Sequence, residues 1–77
     1  MKIDVVEDGT VTILAFVGRL DTNNAANAEK EVSERIEAGA RQLVFDFGEL
    51  DYISSAGLRV ILKAAKQTRA AGGDLAI

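Results

Sequence analysis

Apolar and polar residues alternate at the start of the chain, where Ile3 and Val5 are interleaved with Lys2 and Asp4, and this period of two predicts a half-buried strand. Asp8-Gly9 interrupts it, and the chain then turns almost continuously apolar from Val11 to Val17. Val11, Ile13, Ala15 and Val17 share one face of this second strand and Leu14 and Phe16 the other, so a central strand covered on both faces is expected. Two such strands around a short glycine-containing turn predict a hairpin.

The period then changes. From about Asn23 to Ala38, Ala25, Ala28, Val32 and Ile36 recur at helical spacing against Glu29, Lys30, Glu31, Glu34, Arg35 and Glu37, and Gly39 stands where a helix would end. The charges read as a solvated face with helix-spaced pairs such as Glu31 with Arg35. A third strand, about Gln42 to Phe47, leads through a loop at Gly48-Glu49-Leu50-Asp51 into Ser54-Ser55. A second helix follows, with Leu58, Ile61, Leu62 and Ala65 at helical spacing and its end at Gly72-Gly73, and a last strand begins at Asp74-Leu75-Ala76-Ile77.

Strand, strand, helix, strand, helix, strand describes an α/β fold. The opening hairpin is antiparallel, and each crossover helix makes the strands on either side of it parallel, giving a four-stranded mixed sheet. Functional loops of such sheets gather at the carboxyl ends of the parallel strands. Gly18 to Asn24 and Gly48 to Ser55 both qualify, which would bring Asp21 and Ser55 to one edge.

Ser54 and Ser55 carry the candidate chemistry. A helix start leaves backbone N–H groups unpaired and carries a partial positive charge, so a hydroxyl there caps the helix and an added phosphate is accepted. On the residues alone, a cap and a modifiable hydroxyl both stand. Asp21, before the first helix, likewise reads either as a cap or as a binding residue.

Composition narrows the field. A chain of 77 residues buries only about 60% of the surface of its unfolded form, so one domain of modest stability is expected over residues 1–77. Without cysteine or histidine it forms no disulfide and no Cys/His zinc site, and neither a metal nor a cofactor is expected. No signal-peptide or membrane-span pattern occurs, so a cytoplasmic protein without membrane contact is expected. The net charge of −3, with acids and bases interspersed, and the few aromatics argue against nucleic-acid binding. An enzyme using Ser55 as nucleophile lacks a histidine base and a Gly-x-Ser-x-Gly elbow, and Lys63 lies two helical turns away.

The run Asp51-Tyr52-Ile53-Ser54-Ser55-Ala56-Gly57-Leu58 resembles the phosphorylation-site loop of the STAS-domain anti-sigma factor antagonists of bacteria. Gly18-Arg19-Leu20-Asp21, followed by Thr22, Asn23 and Asn24, resembles that family's second characteristic loop. The resemblance implies a STAS-like fold and no catalysis. It implies a phosphoacceptor at Ser55, with Ser54 a rival where many relatives carry aspartate. It also implies a partner surface of Asp21, Thr22, Asn23, Ser54, Ser55, Ala56, Gly57, Leu58 and Arg59. The implied partners are an anti-sigma factor that is also a serine kinase and a serine phosphatase for the phosphorylated form. Unmodified antagonist would bind the kinase and free a sigma factor, and phosphorylation would end that binding. A STAS scaffold or ligand-sensing domain of a larger regulatory assembly is the competing reading. Relatives usually continue into a further helix after the fourth strand, so a C-terminally truncated domain is expected here. Its partly uncovered sheet face would favour a homodimer or a domain swap.

Overall fold

The opening alternation folds as the predicted hairpin. In the computed structural model, which describes residues 1–77, β1 (Lys2–Asp8) and β2 (Val11–Leu20) pair antiparallel from Lys2 opposite Val17 to Asp8 opposite Val11. The turn needs left-handed backbone at its first central position, and Gly9 supplies it with φ 62°. There follow α1 (Ala25–Glu37), β3 (Gln42–Ile53), α2 (Ser55–Ala70) and a short β4 (Asp74–Ala76). The sheet order is β1-β2-β3-β4, with β2–β3 and β3–β4 parallel. This is the β-β-α-β-α-β mixed sheet that the patterning predicts.

Both crossovers step the same way along the sheet, so the right-handed rule sets α1 and α2 on one face. There the side chains of Leu14, Phe16 and Leu20 from β2 and Leu43 and Phe45 from β3 meet Ala25, Ala28, Val32 and Ile36 of α1 and Val60, Ile61 and Ala64 of α2. All three phenylalanines gather in it: the Phe16 ring centroid lies 5.1 Å from that of Phe45 and 5.4 Å from that of Phe47, in tilted and edge-on contacts that favour aromatic pairs. The helices are tied together by Ser33 Oγ donating to Gln67 Oε1 at 3.0 Å and by an ion pair between Lys63 and Glu29.

Four expectations are corrected. β2 is central, yet its Val11, Ile13, Ala15 and Val17 face is only half-buried, because both helices lie on the opposite side. The stretch Gly48–Asp51 is strand rather than loop. Pairing with β2 runs on to Leu20 opposite Ile53 through two register shifts, and Asp46 accepts the Gly48 N–H at 2.9 Å where the strand bulges. The buried stripe of α2 is Gly57, Val60, Ile61, Ala64 and Thr68, whereas Leu58 and Leu62 are exposed and Ala65 is half-buried. Glu31 and Arg35 make no ion pair, and the acidic face of α1 reaches α2 through Glu29 instead.

The one-sided sheet yields a contrast between adjacent residues. Leu43→Ala should cost about 2–5 kcal/mol of unfolding free energy, as buried leucine truncations do. Val44→Thr, on the open face, should change it by less than about 1 kcal/mol. Urea denaturation of the two variants checks this, and equal losses would contradict the one-sided arrangement.

Candidate functional site

At the carboxyl ends of β2 and β3 the chain breaks twice into helices, and the two breaks are stitched together. The Ser54 N–H donates to the Leu20 carbonyl at 2.8 Å, which extends the β2–β3 pairing to the threshold of α2. Ser54 keeps extended backbone (φ −85°, ψ 171°), and its Oγ accepts the N–H of Gly57 at 3.1 Å. That is N-capping: one of the orphan donors of the first turn is satisfied by a hydroxyl three residues earlier.

At Gly57 the first turn of α2 packs directly against the sheet. A Cβ there would stand 2.7 Å from Leu20 Cγ and 2.9 Å from the Leu20 carbonyl oxygen, so any larger residue pushes α2 off β2. The glycine-leucine pair of the motif therefore divides its labour. Gly57 is buried to let the helix approach, and Leu58 is 51% exposed.

Ser55 is the first residue of α2, exposed, and its hydroxyl makes no hydrogen bond within the chain. The two serines are thus not equivalent. The Ser54 hydroxyl is half-buried and committed to the helix, while that of Ser55 is free.

On the β2 side, Asp21 opens a turn into α1. Its Oδ1 accepts the N–H groups of Asn23 at 3.0 Å and Asn24 at 3.3 Å, and its carbonyl accepts the N–H of Ala25 at 3.0 Å. Asn24 reciprocates, its Oδ1 accepting the Asp21 N–H at 2.9 Å and its Nδ2 donating to the Arg19 carbonyl at 2.7 Å. The regular helix begins at Ala25, which puts Asn24 at its formal N-cap, and the Asn24 side chain makes no cap bond there. Asp21 nevertheless makes the bonds of a cap, its side chain accepting the N–H groups two and three residues on and its carbonyl the one four residues on, so its structural reading as a cap stands. Asn24 was not among the predicted site residues, although two side chains that can bond backbone, three positions apart before an apolar helical run, resemble a capping box.

Sequence reasoning missed two further residues. The Arg19 guanidinium lies 4.3 Å from the centroid of the Tyr52 ring, its register partner on β3, within cation–π range. Nor are the charges evenly interspersed, because α2 carries Arg59, Lys63, Lys66 and Arg69 and no acid. Between the helices runs an open groove of about 390 Å³, with Thr22, Ala26 and Glu29 on one side and Ala56, Arg59 and Lys63 on the other. Of the predicted partner-surface residues, Asp21, Thr22 and Asn23 form one wall of this edge and Ser54, Ser55, Ala56, Leu58 and Arg59 the other. Gly57 lies beneath them. No group of three or more His, Cys, Asp or Glu side chains is placed to hold a metal, and no helix is long and apolar enough to cross a membrane.

The STAS-domain family profile matches residues 2–77. A candidate anti-sigma factor antagonist of Bordetella bronchiseptica, BtrV, is 40% identical over all 77 residues, and the chain spans 66% of the length of that relative. Among solved structures, the unphosphorylated form of the anti-sigma factor antagonist SpoIIAA matches with a TM-score of 0.81 at 18% identity, over 96% of this chain and 69% of that one. The phosphorylated form of SpoIIAA, a Bacillus cell fate determinant, matches with a TM-score of 0.80 at 19% identity, over 99% of this chain and 69% of that one. These structural likenesses show the fold.

The division between the serines predicts unequal costs of truncation. Ser54→Ala should lose about 1 kcal/mol, the usual cost of removing an N-cap hydroxyl. Ser55→Ala should stay within about 0.5 kcal/mol, as surface changes do. Thermal and urea unfolding read both, and a larger loss for Ser55→Ala would contradict the assignment. Gly57→Ala should cost about 1–3 kcal/mol through overpacking against Leu20.

Proposed function

The chain belongs to the STAS domain family, and from that premise we propose that it is an anti-sigma factor antagonist working by partner switching, with Ser55 as its switch. In the unmodified state the edge formed by Asp21, Thr22, Asn23, Ser54, Ser55, Ala56, Leu58 and Arg59, with Gly57 beneath it, binds an anti-sigma factor that is also a serine kinase, and a sigma factor is released. The kinase then transfers the γ-phosphoryl group of ATP to Ser55 Oγ; the bond to ADP breaks as the Oγ–P bond forms, and the hydroxyl proton is lost. A serine phosphatase restores the free hydroxyl by hydrolysis. The chain itself performs no catalysis in this cycle, which takes place in the cytoplasm. Lys63, the nearest lysine along the chain, supports that view, since its ammonium is held by Glu29 on α1.

One observation carries the reading: of two adjacent hydroxyls at the edge, one is locked into the fold and the other is exposed and unbonded. A dianionic group on the free one sits at a helix N-terminus, where anions are favoured, and leaves the cap of Ser54 intact. The domain keeps its structure and the cost falls on the interface. Charge and bulk set into a close-packed contact cost several kcal/mol through repulsion and desolvation, and about 1.4 kcal/mol already changes affinity tenfold. Arg59 and Leu58 support the same face, since both are exposed next to Ser55 and neither is needed by the core.

Incubation with the cognate anti-sigma kinase and ATP, followed by mass spectrometry, should find one phosphate, on Ser55. Ser55→Ala should bind the kinase with or without ATP, and Ser55→Asp should keep the fold and bind at least tenfold more weakly. Equal binding by the parent chain and both variants would contradict the proposal. A phosphate on Ser54 instead would contradict the choice of acceptor.

A further inference from the structure

The cations of the chain are not equally available to Ser55. Arg19 is stacked on Tyr52, Lys63 is paired with Glu29, and Arg41 donates to the carbonyls of Ile36 and Ala40 at the far end of the sheet. Arg59 is exposed and has neither a carboxylate nor a carbonyl partner. It stands four residues after Ser55 on α2, the spacing at which helix side chains lie over one another with Cβ atoms about 5–6 Å apart. It also lines the groove between α1 and α2, across from Thr22 and Ala26.

Resting on the reading of Ser55 as phosphoacceptor, we infer that Arg59 is the intramolecular partner of the Ser55 phosphate and draws it over the groove between the two helices. A guanidinium presents a planar fork of N–H donors that fits two phosphate oxygens at once, and a flexible lysine does so less well. Ser55 is separated from Arg59 by one helical turn, within reach of both side chains without any change of backbone. The phosphate bound in this way lies over Ala56 and the mouth of the groove, so phosphorylation changes the shape of the edge as well as its charge. In the unmodified chain Arg59 is left free to meet a carboxylate on the partner. One residue then serves both states, facing outward before modification and turned onto its own helix afterwards.

Arg59 acts here as a positioning residue, and the test reads the phosphate directly. The 77-residue chain is short enough for chemical synthesis with phosphoserine at position 55, so no kinase is involved. The second ionisation of that phosphate, ordinarily near pH 6, is followed by ³¹P NMR titration in the parent chain, Arg59→Gln, Arg59→Lys and Lys66→Gln. The acids and bases on neighbouring elements, Asp21 in the turn, Glu29 on α1, Asp51 and Tyr52 on β3 and Arg19 on β2, are common to all four. Arg59→Gln should raise the phosphate pKa by about 0.3 unit, the scale of a helix-spaced ion pair acting on the one charge gained in that ionisation. The difference should shrink in molar salt, as screening of an exposed pair requires. Arg59→Lys should fall between, and Lys66→Gln, which removes the same charge about two turns further on, should match the parent.

Identical titration of the parent and Arg59→Gln overturns the inference, and so does an equal shift in Lys66→Gln, which would make the effect one of bulk charge. Failure here leaves the functional reading untouched, because the phosphate is installed by synthesis. Refusal of every anti-sigma kinase to modify Ser55 would overturn that reading and leave the titration unchanged.

Discussion

The arrangement of this protein's edge depends on how closely α2 begins to the end of β2. With no side chain at Gly57, the first turn of the helix settles against Leu20, whose own side chain is wholly buried. That approach brings the Ser54 amide to the Leu20 carbonyl and the Ser54 hydroxyl to the Gly57 amide. Once Ser54 is fixed by both its backbone and its side chain, Ser55 has nowhere to point except outward. Exposure of the second serine is a consequence of how tightly the first is held. The same Leu20 immediately precedes the turn that Asp21 and Asn24 brace, so the two walls of the edge share one anchor.

The switch proposed for Ser55 would be local. The groups that keep α2 in place are buried or half-buried, the hydroxyl proposed as the acceptor is exposed, and the two sets do not overlap. Added charge meets solvent, the free amides of a helix start and a cation one turn along. On the proposed reading, a phosphate on Ser55 would alter only the surface presented between the Asp21 turn and Leu58.

Much of this was legible in the chain. The stripe Ala25, Ala28, Val32 and Ile36 is the buried face of α1, the hairpin closes at Gly9, and the element order fixes the mixed sheet. The misplaced stripe of α2 has a physical origin, which is that periodicity scores side chains by hydrophobicity and not by size. Leu58 and Leu62 drew the predicted stripe of α2 about a quarter of a turn away from the true one, because its deepest positions include Gly57, chosen for want of a side chain, and Thr68, whose hydroxyl donates to the Ala64 carbonyl at 2.7 Å and so can be buried. Gly48 and the acids after Phe47 looked like a loop because a bulged strand interrupts the alternation that marks a regular one. Charge pairing across helices, Lys63 with Glu29, has no local spacing to reveal it. In the site, the motif located Ser54 and Ser55, but only the hydrogen bonds assign them different tasks.

The account's central claim is that a phosphate on Ser55 changes the edge and leaves the fold alone. Amide ¹H–¹⁵N spectra of the unmodified chain and of the chain carrying phosphoserine at position 55, recorded with their unfolding curves, test it most directly. The account predicts shifts confined to the Asp21–Asn24 turn and the first two turns of α2, with the unfolding free energy changed by less than about 1 kcal/mol. Shifts spread through β1, β3 and the body of α1, or a collapse in stability, would contradict it.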